Sequence, residues 1–153
     1  MGMFHAFDVS ASGLTAQRYR MDIIAENVAN ANTTRTENGG IYKRKIVTFE
    51  AKSGTPGVSF ASMLSASSSN LDQSIGNGVR ITSITEDNKS DARKVYDPSH
   101  PDADEAGYVY YPNVDTVTEM TNLIDATRAY EANATALSAS KSMIQQALMI
   151  GQN

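Results

Sequence analysis

Catalysis and metal binding need particular side chains at close spacing, and this chain offers few such sets. Its two histidines, His5 and His100, lie in different segments, and neither neighbours a nucleophile motif of the G-x-S-x-G kind. The run Asp102-Ala-Asp104-Glu105-Ala-Gly107 has acids at the first and third positions of a calcium-type loop and glycine at the sixth. It lacks an acid or Asn at the fifth position, and Asn113 stands at the twelfth, where such loops carry Glu. A solvated acidic turn is the better reading. The chain has no Cys, so a thiolate metal site, a disulfide and a thiol nucleophile are all excluded. There is no HExxH pair and no phosphate-binding Gly-rich loop. The expectation is a non-enzymatic protein with no catalytic residue, metal, cofactor or small-molecule substrate.

The remaining polar residues of note suit recognition better than catalysis. Asn27, Asn30 and Asn32, followed by Thr33 and Thr34, either reach a neighbouring chain or cap a helix and start a turn. Asn27 is the better candidate for a neighbour, since it lies inside the helix. Lys43-Arg44-Lys45 is a basic patch on a strand; it either touches a partner's acidic face or is solvated. Arg18 and Lys141 interrupt two apolar stripes described below. A charge at a seam position either sets register at a cost in stability or snorkels outward. Glu26 and Glu131 are conceivable partners for them.

Composition narrows the class. The formal net charge of −4 over 153 residues, with mixed signs, argues against a nucleic-acid binder, which needs a basic surplus. No run of 18 apolar residues exists, so no transmembrane helix is expected. The N-terminus lacks the basic, apolar, small-residue order of a Sec signal, so any export is expected to use another route.

The positions of the helix breakers lay out the architecture. Pro56, Pro98, Pro101 and Pro112 are all central, and glycine is absent from Leu14 to Asn38 and from Tyr108 to Ile150. The chain therefore reads as helix, β-rich middle, helix. The first helix is expected from about Phe4 to Thr33, with Phe4, Phe7, Ala11, Leu14, Met21, Ala25 and Val28 stepping by three and four. Gly13 is a cost within it, about 1 kcal/mol against Ala. The last helix is expected from about Asp115 to Ile150. Its stripe is Met120, Leu123, Thr127, Tyr130, Ala134, Leu137, Lys141, Ile144 and Leu148. Both stripes have heptad spacing. Segments 41–49, 79–85, 94–96 and 108–111 read as strands. Segment 51–78, with eight Ser and four Gly, reads as a long mobile loop.

A helix of this length does not bury a narrow seam alone. The expected fold is α+β: terminal helices (1–35 and 114–153) paired as an antiparallel coiled coil, and a small β-rich middle (36–113) with the Ser/Gly loop. Apolar residues off the seam, such as Ile23, Ile24 and Met143, suggest that other chains complete the core.

Two segments make the reading specific. Residues 10–34, SASGLTAQRYRMDIIAENVANANTT, resemble the N-terminal signature of bacterial flagellar rod and hook proteins. Residues 119–151, with RAYEAN at 128–133, resemble that family's shared C-terminal helix. The middle segments DPSHPDAD (97–104) and YPNV (111–114) are similar to the proximal-rod branch. The resemblance implies a structural subunit of the flagellar basal body, exported unfolded through the flagellar type III apparatus without a cleaved signal. Such a subunit joins copies of itself, other rod subunits, the basal-body adaptor and the export gate in an envelope-spanning drive shaft. Phe4, Phe7, Leu14, Met21, Val28, Met120, Leu123, Tyr130, Leu137, Ile144 and Leu148 are then the assembly seam. Asn27, Asn30, Asn32 and Arg128 are candidate contacts between subunits. The rivals are a soluble coiled-coil adaptor linked to export and a cell-wall hydrolase, the latter without the distinctive acid pair that its chemistry needs.

Overall fold

The structure is a computed structural model describing residues 3–37, 39–52 and 77–150. The central part of the Ser/Gly loop expected at 51–78 lies outside the described residues. Helix α1 spans Met3–Ala29, followed by strands β1 (Lys45–Ala51), β2 (Val79–Glu86), β3 (Arg93–Tyr96) and β4 (Tyr108–Tyr111), and helix α2 spans Thr116–Ile150. The helix–strand–helix order agrees with the sequence reading. β1 and β2 form an antiparallel ribbon with an irregularity between Thr48 and Phe49. β3 and β4 form a separate antiparallel hairpin.

Local chemistry explains the boundaries. Asp115 caps α2: its carboxylate accepts the Val117 N–H at 3.1 Å and the Thr118 hydroxyl at 2.6 Å. These bonds hold the Asp115 carboxyl below the usual carboxylate range, the Thr118 hydroxyl first, and satisfy helix N–H groups that have no partner within the helix. At the other end of α1, Asn30 Nδ2 donates back to the Glu26 carbonyl at 2.9 Å, and the Thr33 hydroxyl donates to Asn30 Oδ1 at 3.1 Å. Of the two readings of Asn30, the cap is the one its bonds describe.

The two helices lie side by side in opposite directions. Arg20 Nη2 donates to Asn122 Oδ1 at 3.4 Å and Asn27 Nδ2 to Glu119 Oε2 at 3.2 Å. A β-carbon placed on Gly13 would stand 2.9 Å from Asn133 Oδ1. Gly13 therefore permits a close approach that Ala would crowd, which accounts for its place inside a helix. The ribbon docks on another side of α1. Ser12 Oγ accepts the Val79 N–H at 3.0 Å and donates to the Val9 carbonyl at 2.7 Å.

The covered row on α2 shares Leu123, Tyr130, Leu137 and Ile144 with the expected apolar stripe and differs from it at the alternate positions. Glu119 and Ala126 are buried, and Leu123, Tyr130, Asn133, Leu137, Ser140 and Ile144 are partly covered. Met120 is 58 % exposed and Leu148 is 62 % exposed. At the alternate positions the row follows its partners on α1: Glu119 meets Asn27, and Asn133 lies against Gly13. There the covered row takes Glu119, Ala126, Asn133 and Ser140, while Met120, Thr127 and Lys141, one residue or about 100° round the helix, are exposed and Ala134 is partly covered. On α1 the buried residues are Ala16, Ile24 and Asn27, while Phe7, Leu14, Met21 and Val28 are half-buried beside them. That helix covers two partners, α2 and the ribbon, so its buried face extends beyond one stripe.

Candidate functional site

Where the ribbon meets the helix pair, polar side chains from three distant segments close into one knot. Asn27 is 1 % exposed and uses its whole amide within the chain. Its Nδ2 donates to the Lys45 carbonyl at 2.9 Å and to Glu119 Oε2 at 3.2 Å. Its Oδ1 accepts the Tyr42 hydroxyl at 2.8 Å and the Lys45 N–H at 2.9 Å. Glu119 is also 1 % exposed. Its Oε1 accepts Arg44 Nε at 2.8 Å and Nη2 at 2.5 Å. At the rim, the Lys45 ammonium pairs with the Glu26 carboxylate.

A carboxylate this deep is tolerable because a guanidinium and an amide replace water around both oxygens. Tyr42 reports the same environment. Burial first, then the charges of Glu26, Glu119 and Glu86, push its hydroxyl up to about 12. A cavity of about 330 Å³ beside the knot is lined in part by Arg20, Ile24, Phe49 and Asn122. The acid on its wall, Glu119, already has both oxygens engaged, so the arrangement fixes geometry rather than moving protons.

This placement gives Asn27 and the Lys43-Arg44-Lys45 run partners within the chain. Asn27 does not lie on an outer face where a neighbour would meet it; its amide ties α1 to β1 and α2. Lys43-Arg44-Lys45 is not a free basic patch. Lys43 Nζ donates to Asn88 Oδ1 at 2.5 Å, Arg44 turns in to Glu119, and Lys45 reaches Glu26. Sequence reasoning missed Glu119 and Tyr42. The available signal was a charged residue in the first turn of α2, one position off the apolar stripe.

The other candidates are placed as follows. Asn32 and Arg128 are exposed. Phe4 lies in α1, its side chain outside the described ones. In the acidic turn, Asp104 Oδ1 accepts the Ala106 and Tyr108 N–H groups, both at 2.9 Å. Asp102 Oδ2 accepts the Thr34 hydroxyl at 2.8 Å. These acids shape the β3–β4 connection and hold it to the end of α1. His100 Nδ1 accepts the Asp102 N–H at 3.1 Å, and its ring meets Tyr111 edge-on. Neither histidine sits beside an activated nucleophile in the described residues.

Comparison with known proteins agrees with this architecture. Residues 7–35 match the family model described as flagella basal body rod protein. Residues 105–150 match the model described as flagellar basal body rod FlgEFG protein C-terminal. The chain is 49 % identical to the flagellar basal-body rod protein FlgC of Bacillus subtilis, over 99 % of this chain and all of the relative. It is 45 % identical to FlgC of Borreliella burgdorferi, over 99 % of both chains. The chain belongs to the FlgC family of flagellar basal-body rod proteins. FlgC of Salmonella typhimurium, at 36 % identity over 99 % of this chain and all of the relative, has the same extent. The two family models fall on the paired helices and their flanks; the FlgC relatives span the strands between them as well. The chain is a structural subunit of the basal-body rod, and among the described residues no helix is long and apolar enough to cross a membrane.

Proposed function

We propose that this FlgC-family chain is a proximal-rod subunit that carries motor torque through its paired terminal helices. The single observation that carries the reading is its end-to-end similarity to FlgC rod proteins, helices and strands together. In this reading residues 1–35 and 114–153 form the axial coiled coil, and 36–113 form a middle region seated on it. The Arg44–Glu119–Asn27 knot stiffens the joint between these parts. A twisting load on the ribbon then passes into both helices rather than bending a hinge.

The partners proposed are copies of the chain, other rod subunits, the basal-body adaptor and the export gate. The chain is exported unfolded by the flagellar type III apparatus without a cleaved signal, and it has no catalytic role. Half-buried Leu14, Met21 and Val28, with exposed Met120 and Leu148, leave apolar surface for neighbours to cover. This supports assembly over a self-sufficient monomer.

Residue-pair cross-linking on purified basal bodies, read by mass spectrometry, tests the proposal. Links between segment 1–35 of one copy and segment 114–153 of another are expected. A chain found only as a soluble cytoplasmic species, absent from basal bodies, would refute the rod reading and favour an export adaptor.

A further inference from the structure

Each helix carries a second heptad row besides the one that packs within the chain. On α1 the row is Ala11, Thr15, Arg18, Asp22, Ala25 and Ala29, all exposed. On α2 it is Thr121, Ile124, Arg128, Glu131, Thr135 and Ser138, also all exposed. Both rows alternate by three and four, the spacing of a helix–helix seam. Arg18, Asp22, Arg128 and Glu131 form none of the ion pairs among the described residues.

We infer that the α1 row of one copy packs antiparallel against the α2 row of the next copy, with Arg18 opposite Glu131 and Asp22 opposite Arg128. This deepens the rod-subunit reading and rests on it. With those two pairs set, the remaining positions meet in step. Ala25 faces Ile124, Ala29 faces Thr121, Thr15 faces Thr135, and Ala11 faces Ser138. The bulky end of the α2 row, where Ile124 is 53 % exposed beside Met120 at 58 %, meets the alanine end of the α1 row.

Charge order and polarity together select the occupant: each row is also self-complementary when antiparallel, but copies that all point the same way bring only α1 against α2 in that sense. Each row presents one cation and one anion, and the order along α1 complements the reversed order along α2. Sliding the helices by one heptad places Arg18 opposite Ile124 or Ser138 and loses both pairs, so the charges set the register. The antiparallel sense is also the one required when all copies point the same way, because α1 and α2 run oppositely within each copy. The surface is therefore heterologous: two different faces of one chain meet, and such contacts repeat around a ring or helix instead of closing as a dimer.

The contact has a further geometric consequence. Within the chain Gly13 lies opposite Asn133 and Asn27 opposite Glu119. The register between copies is offset from this by three to four residues, so neighbours are staggered by about 5 Å along the helix axis.

The test uses the lack of native cysteine. Two differently tagged full-length chains, one carrying Ala25→Cys and one Ile124→Cys, are co-expressed in motile cells, and basal bodies are purified and oxidised. A mixed disulfide species is expected on co-expression, with little from either variant alone. Arg18→Glu should lower the mixed species severalfold, and adding Glu131→Arg should restore it. Homotypic disulfides, an undiminished yield with Arg18→Glu, or no cross-link while both chains are present in basal bodies would each overturn the contact. Absence of the wild-type chain from basal bodies would overturn the rod reading instead.

Discussion

Replacing Arg44 with methionine should expose how much the fold depends on one buried acid. The substitution keeps most of the side-chain length and removes both donors to Glu119 Oε1, which lie at 2.8 and 2.5 Å. Glu119 remains 1 % exposed with only the Asn27 amide for company. Breaking a buried pair from one side costs about 3–5 kcal/mol, because the abandoned charge stays desolvated. A domain of this size shifts its melting temperature by about 2–4 °C per kcal/mol, so a drop of roughly 6–20 °C is expected. Removing both charges, as Arg44→Met with Glu119→Leu, should recover most of that loss, since an apolar pair of similar shape carries no desolvation penalty. Urea and thermal unfolding followed by circular dichroism, on wild type, Arg44→Met, Glu119→Leu and the double variant, give the four stabilities needed for a double-mutant cycle. The reasoning is refuted if Arg44→Met costs under about 1 kcal/mol, the range of an exposed pair, or if the double variant is no more stable than the single one.

Tyr42 supplies a pH test. Its folded-state value is pushed up to about 12, mainly by burial, above its ordinary 10.0. A raised value makes its contribution fully present below about pH 10 and lost as pH rises through about 12. Ultraviolet titration should therefore show one of the seven tyrosines ionising late, and Tyr42→Phe should remove that step. Asp115 works in the opposite direction. Its lowered value makes its contribution present above the normal carboxylate range and lost on acidification below it. Asp115→Ala should lower the melting temperature at neutral pH, Asp115→Ser should retain most of it, and the gap between wild type and Asp115→Ala should close in strong acid. At Gly13, alanine gains helix propensity but meets the Asn133 side chain at 2.9 Å. In an Asn133→Ala background, Gly13→Ala should stabilise by about 1 kcal/mol, and in the wild-type background the gain should shrink or reverse, as measured by urea unfolding.

The amino-acid sequence by itself determined the element order, the family and the absence of thiol chemistry. Prolines confined to the middle and glycine-free runs at 14–38 and 108–150 leave little besides helices toward both termini. The motifs at 10–34 and 128–133 are local strings, legible without any fold. β4 matched its expected boundaries, Tyr108–Tyr111, and β2 ran one residue beyond its expected end, because alternation and turn residues are also local signals. The tertiary structure decided which side of each helix is covered. Helical periodicity fixes a spacing but does not identify the row that faces a partner. On α2, Glu119 and Asn133 face Asn27 and Gly13 of α1, and Met120 is left exposed. The polar knot was equally beyond local reading. Asn27, Arg44 and Glu119 are far apart along the chain, and a charged side chain in sequence looks solvated until a distant partner removes its water. Burying Glu119 is tolerable only when Arg44 arrives from the segment entering β1, a long-range pairing that no window of residues contains.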